Sequence, residues 1–227
     1  GADGADGADG GVGISELNDL SDVLYEDNSL YLGSNPTLTT DSAQYNVAVG
    51  INALDAITTG DNNVAVGYNA LTTNTTGYDN TASGYLSLNA NILGVRNTAS
   101  GSYSLPANTV GNFNTATGSY SLYTNDAGSR NTATGYKSLN SNINGDSNTA
   151  VGNESLFRNT SGSNNMALGY HSLYENITGN NNTASGTNAG NVITNGSNNV
   201  ILGYEADPSA SDAENQIVIG YNATGQG

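Results

Sequence analysis

Few residues in this chain could do covalent chemistry. Among 227 residues there is one histidine, His171, no cysteine, and four bases against twenty acids, for a formal net charge of −16. A nucleophilic site needs a base beside its nucleophile and a third group to orient that base. His171, next to Tyr170, has no second histidine to work with and reads as a surface residue. Glycan hydrolysis needs two carboxyl groups at a set separation; Glu154, Glu175 and Glu205 are scattered and form no obvious pair. Without cysteine there are no disulfides and no thiolate metal sites. These residues imply no catalytic group, no metal site and no cofactor, and the chain reads as a non-enzyme. Strong acidity also disfavours nucleic acid as a partner, because phosphate binding needs clustered Lys and Arg. No apolar run approaches the length of a membrane span, so no membrane insertion is expected.

What remains is contact chemistry, and it is ordered by a repeat. Gly33, Gly50, Gly67, Gly84, Gly101, Gly118, Gly135, Gly152, Gly169, Gly186, Gly203 and Gly220 follow one another at 17-residue steps. Four positions before each glycine runs an asparagine column, with Asn63, Asn80, Asn97, Asn114, Asn131 and Asn148 at its centre. Leu54, Leu71, Leu88, Leu105, Leu122, Leu139, Leu156 and Leu173 lie four positions after, and Ala48 to Ala184 form a small-residue column two before. A second glycine column runs from Gly60 to Gly196, and a second asparagine column from Asn74 to Asn176. Tyrosines keep the same phase: Tyr68, Tyr85, Tyr136, Tyr170, Tyr204 and Tyr221 directly follow column glycines, while Tyr103 and Tyr120 come one place later.

Seventeen residues with two glycines are too few for a packed helix pair, which needs about 33. They suit two or three short strands joined by tight turns, with glycine at the positive-φ corners. The expected fold is therefore all-β: a β-solenoid of about twelve 17-residue coils over residues 28–227, ~55–60 Å long at the inter-strand spacing. In such a stack an asparagine amide can accept from one coil and donate to another, forming a ladder. The alternative is that asparagine merely tolerates a turn conformation. The leucine column is the candidate core, and the alanine column suits close packing inside the coil or against neighbouring chains. So thin a core calls for oligomerisation, and three solenoids side by side around one axis would supply it.

The ends differ. Residues 1–10 place Gly at every third position, as a collagen-like stalk end or a flexible linker would. Residues 11–27 form a junction or cap, with Ile14, Leu17, Leu20, Val23 and Leu24 spaced as a short amphipathic turn or helix. The acids around them, Asp19, Asp22, Glu26 and Asp27, lack the EF-hand spacing and read as a solvated face. From Ala206 to Glu214, with Pro208, an insertion-like stretch replaces the leucine and second glycine columns. The sequence ends in mid-repeat, which implies further sequence or processing beyond Gly227.

The pattern at Asn63-Val64-Ala65-Val66-Gly67-Tyr68-Asn69-Ala70-Leu71 resembles repeats of phage tail fibres and is similar to those in the heads of trimeric autotransporter adhesins. Asn215-Gln216-Ile217-Val218-Ile219-Gly220 resembles segments that precede a self-cleaving chaperone domain in tail-spike proteins. The resemblance implies a parallel homotrimer on a virion or at a cell surface, attaching its owner to host glycan or protein. Adhesin heads have shorter repeats, so the 17-residue step favours the fibre group over a bacterial surface adhesin or filament. Tyr68, Tyr85, Tyr103, Tyr120, Tyr136 and Tyr170 are the candidate contacts, as flat apolar faces for saccharide rings, or else as packing between protomers. A monomeric ice- or ligand-binding solenoid is a third reading, motivated by the threonine column Thr81, Thr98, Thr115, Thr132, Thr149 and Thr183. It is weakened by Met166 and by the want of a second threonine column. Sequon matches such as those at Asn74, Asn159 and Asn176 are expected by chance in so Asn- and Thr-rich a chain.

Overall fold

The structure is a computed structural model that describes residues 23–26, 28–33 and 42–226. The collagen-like triplets of residues 1–10 and most of the junction lie outside them. The described residues hold thirteen strands and no helix: β1 (Val23–Glu26), β2 (Ser29–Leu32), β3 (Val47–Val49), β4 (Val64–Val66), β5 (Thr81–Ser83), β6 (Thr98–Ser100), β7 (Thr115–Thr117), β8 (Thr132–Thr134), β9 (Thr149–Val151), β10 (Met166–Leu168), β11 (Thr183–Ser185), β12 (Val200–Leu202) and β13 (Ile217–Ile219). They form one sheet in sequence order. From β2 to β13 every pairing is parallel and in register at a 17-residue offset, as in Ala82↔Ala99↔Ala116. The fold is thus a parallel β-solenoid of eleven turns between twelve rungs, ~53 Å along its axis.

The strands follow from their three residues. Thr or Val at the outer positions is β-branched and suits a half-exposed pleat, and alternation sends the middle alanine inward, where Ala48 through Ala184 are fully buried. The leucine column is equally buried and joins the alanines in one continuous core cluster. At the asparagine position of the second column, Ile57 and Ile193 take over in two coils and add to that core. The alanine column therefore packs inside the coil.

Each coil has a single strand, where the spacing predicts two or three. The rest of the circuit is closed by residues in the left-handed conformation at three positions: two and four after the column glycine, and one before the column asparagine, as in Leu86, Leu88 and Arg96. The leucines are the unexpected members, at φ of 49 to 52° from Leu54 to Leu173. A left-handed L-residue costs roughly 1–2 kcal/mol, while full burial of a leucine contributes about 1.5–3 kcal/mol. Burial wins, and the corner aims the side chain at the core. Bonding between coils continues around these corners: the N–H of Leu86 donates to Tyr68 O (2.9 Å) in the coil before, and that of Leu88 to Ser104 O (3.0 Å) in the coil after.

At the N-terminal end β1 runs antiparallel to β2, with Val23 opposite Leu32. Val23 and Leu24 are thus strand residues and not the helical turn their spacing suggests; pairing with the first rung overrides the local period. At the other end the insertion-like stretch folds as turns with one isolated bridge, Asp207 to Thr224, and buries Ala206 and Ala213.

The column glycines are fixed by contact with their own copies. Gly84 has φ of +143°, and a Cβ built there would lie 2.5 Å from Gly101 O in the next coil. Both the dihedral and the backbone clash oppose a side chain, so Gly84→Ala should destabilise the rod by at least about 3 kcal/mol. Thermal unfolding followed by circular dichroism checks this, with Asn144→Ala on an exposed turn expected to stay within about 0.5 kcal/mol of the parent.

Candidate functional site

The residues singled out by the repeat fall on three parts of the coil: an interior polar seam, an aromatic stripe and the outward face of the strand.

The seam holds the asparagines. Asn46 to Asn199 are buried, and each side chain works in two directions. The Oδ1 of Asn63 accepts from the backbone N–H of Asn80 (3.0 Å), and its Nδ2 donates to Gly77 O (2.9 Å). The same pair of bonds recurs at Asn80, Asn97, Asn114, Asn131 and Asn148. At this corner no backbone carbonyl reaches the next asparagine N–H, and a buried N–H left unpaired is costly. The side-chain oxygen stands in for the missing carbonyl. A second ladder runs parallel to it: Asn91 Nδ2 donates to Asn74 Oδ1 (2.7 Å), and each step up to Asn176 repeats the bond. The second glycines sit against this ladder, and a Cβ on Gly77 would collide with Asn74 Oδ1 and Gly94 O. Here space, and not φ, demands glycine. Of the seven sequon asparagines, Asn74, Asn159 and Asn176 belong to this ladder and are buried, whereas Asn153, Asn181, Asn195 and Asn222 lie at exposed positions.

The ladders stop where the sequence changes. Ile193 takes the position after Asn176, and the buried Oδ1 of Asn176 has no hydrogen-bond partner. In the first ladder Gln216 replaces asparagine; its amide turns sideways to Ser209 N (2.9 Å) and Ser209 Oγ (2.6 Å).

The stripe holds the tyrosines. Tyr68 and Tyr85 stack with centroids 5.4 Å apart and planes 11° apart, and Tyr103 and Tyr120 do the same at 5.1 Å and 10°. Edge-on contacts join the pairs, Tyr85 to Tyr103 at 5.3 Å and Tyr120 to Tyr136 at 6.2 Å. Lys137 then lies over the Tyr136 ring (5.2 Å) and within 5.9 Å of Phe157, which stacks on Tyr174. Rings stacked one coil apart cover one face of each other, while Tyr68, Tyr85, Tyr136 and Tyr170 remain nearly half exposed. The Tyr85 hydroxyl, bonded to Tyr103, pushes the Tyr103 phenol above its ordinary range. Tyr170 stacks instead on His171 (3.8 Å), whose Nε2 lies 2.9 Å from Glu154 Oε2.

The carboxylates are each engaged one coil away. Glu154 meets His171, Glu175 meets Arg158 at 2.6 Å, and Glu205 lies 3.5 Å from Asn188 Nδ2. Arg158–Glu175 is half-exposed and contributes little to stability. No group of three or more potential metal-ligating side chains occurs among the described residues.

The strand's outward face was only half legible. Beside the column Thr81, Thr98, Thr115 and Thr132 stands a second, Ser83, Ser100, Thr117 and Thr134, two residues on and pointing the same way. A two-column hydroxyl face therefore exists over these coils, contrary to the single column read from sequence. Its first two members are serines and its next two threonines, which hides it from a search for threonine alone. Apolar residues take both columns at the ends, as at Val64 and Val66 or Ile217 and Ile219.

Two outcomes test the seam and the terminal turns. Removing Asn125 leaves Asn108 Oδ1 and one hydrogen of Asn142 unpaired, whereas removing Asn176, which accepts from nothing, leaves only Asn159 Oδ1 unpaired; Gly128 O and Gly179 O each keep a second donor, Asn114 Nδ2 and Asn165 Nδ2. Asn125→Ala should therefore cost more than Asn176→Ala, by about 1–3 kcal/mol, in paired denaturant titrations. Burial raises the Asp207 carboxyl above the usual range. Its charged form thus weakens the fold, fully above the folded-state value, and the penalty fades as pH falls through that value toward the unfolded one. Asp207→Asn should flatten this dependence, read as the change of unfolding midpoint with pH. No protein-family model, curated protein or solved structure matches this chain.

Proposed function

We propose that the chain is a structural and adhesive fibre segment: a rigid spacer that self-associates, as a parallel homotrimer, and carries contact surfaces for a host-cell glycan or protein. A viral tail fibre or spike shaft is the leading reading and a bacterial surface adhesin the second; both place the chain outside the cytoplasm. The observation that carries the proposal is the coil itself. Eleven turns stack without a break in register, most of them on the same interior ladders, so the sequence invests in length and stiffness. Two of the cavities are open and peripheral: a 430 Å³ groove at Asn215–Ile219 and a shallow depression at Pro106, Ala107, Tyr123 and Thr124. Contact with a glycan would use Tyr103, Tyr120 and Tyr123, two and five places after the column glycine, where amphipathic rings serve recognition best. The proposed rod is non-enzymatic and needs no cofactor.

Light scattering on the purified chain tests the assembly: the expected mass is three times 23.0 kDa, and a single-chain mass overturns the trimeric fibre. On an immobilised panel of neutral and acidic cell-surface glycans, Tyr103→Ala with Tyr120→Ala is expected to lower retention tenfold or more.

A further inference from the structure

The distribution of charge over the coil is uneven in a way the fold alone does not require. Residues 42–226 contain fifteen charged side chains, eleven of them acidic. Every one avoids three positions of the repeat: the two outward strand positions, three and one before the column glycine, and the position just after it. From Val47 to Tyr221 these positions carry only Thr, Ser, Val, Ile, Leu, Met, Tyr and one Asn, Asn153. Charges occupy the other sides of the coil, as at Asp61, Asp79, Asp126, Lys137, Asp146 and Glu175.

The strand hydroxyls of this strip are also idle, although Ser119 Oγ, just after Gly118, donates to Ser102 O (3.0 Å). Elsewhere threonine and serine side chains close the coil: Thr73 Oγ1 donates to Asn89 O (2.8 Å), Thr124 Oγ1 to Asn140 O (3.1 Å) and Ser87 Oγ to Gly84 O (2.9 Å). Among the described residues, no strand threonine or serine from Thr81 to Ser185 makes a side-chain hydrogen bond within the chain. The strip also holds much of the exposed apolar surface, including Val64, Val66, Tyr68, Met166, Leu168, Ile217 and Ile219.

We infer that this charge-free strip is the face through which copies of this chain pack side by side. The inference rests on the self-associating rod proposed above and adds the surface that does it. Two copies of a chain with net charge −16 repel wherever their acids approach, and the core of an interface between subunits is depleted of charge. The strip is the part of the coil's circumference that meets this condition at every rung. Its size suffices: about 13 Å across four residue steps and about 53 Å along the axis gives roughly 700 Å² per copy, close to the ~800 Å² per partner of a standard stable interface. The unused hydroxyls supply donors and acceptors across the contact.

The test uses the absence of native cysteine. Thr117 lies at the middle of the stack, on the sixth of the twelve parallel rungs, so equivalent positions meet in either a parallel or an antiparallel packing. Thr117→Cys is expected to give covalently linked chains on a non-reducing gel after mild oxidation with diamide, whereas Asn144→Cys, on an exposed turn, is not. Thr117→Asp should reduce the mass measured by light scattering to a single chain with an unchanged circular dichroism spectrum, while Asn144→Asp leaves the mass of the parent. An assembly that survives Thr117→Asp and links through position 144 overturns the strip while keeping self-association. A parent chain that is itself monomeric overturns self-association, and the strip with it.

Discussion

Everything in this structure depends on each coil lying directly on the next at one backbone hydrogen-bond distance. That contact is made by peptide groups over most of the circumference, through the left-handed corners as well as the strands. It fixes the rise, forbids a Cβ at the column glycines, and obliges each residue to sit above its own kind. Once the register is set for one pair of rungs it is set for all, because a slip of one residue would expose the inward alanines and leucines.

The core that results is unusual in being about as polar as it is apolar. One leucine and one alanine per coil supply the greasy part, and two asparagines and a serine fill much of the remaining interior. These amides are acceptable there because their donors and acceptors are matched along the axis. A fully connected polar network specifies one arrangement, where an uncommitted one would only add cost. The same matching explains why the network ends raggedly. Where Ile193 and Gln216 replace asparagine, one acceptor is left over and one amide folds aside, and the coils there are more apolar.

Much of this was legible from sequence because the period is strict. The glycine and asparagine columns, the buried leucines and the parallel stacking all follow from residues recurring at one step. Other features were hidden for physical reasons. Leucine is not a residue that signals positive φ, so Leu88 and its equivalents gave no warning that they turn corners, and the circuit was read as several strands. The vertical stacking of the tyrosines, at 5.1–5.4 Å in two pairs, follows from their phase, but the edge-on contacts between pairs depend on ring tilt, which sequence does not give. The second hydroxyl column passed unnoticed because Ser83, Thr117 and Val151 share a position without sharing a residue type. The avoidance of charge shows only after the outward positions are known.

The ladder described for Asn63 and its successors has a consequence at the scale of genes. Each coil offers its upper neighbour the same surface that it receives from below, so a whole repeat can be lost or duplicated without creating a mismatched junction. Contour length then becomes a trait that recombination between repeats can adjust in whole-coil increments, largely independent of selection on the residues themselves.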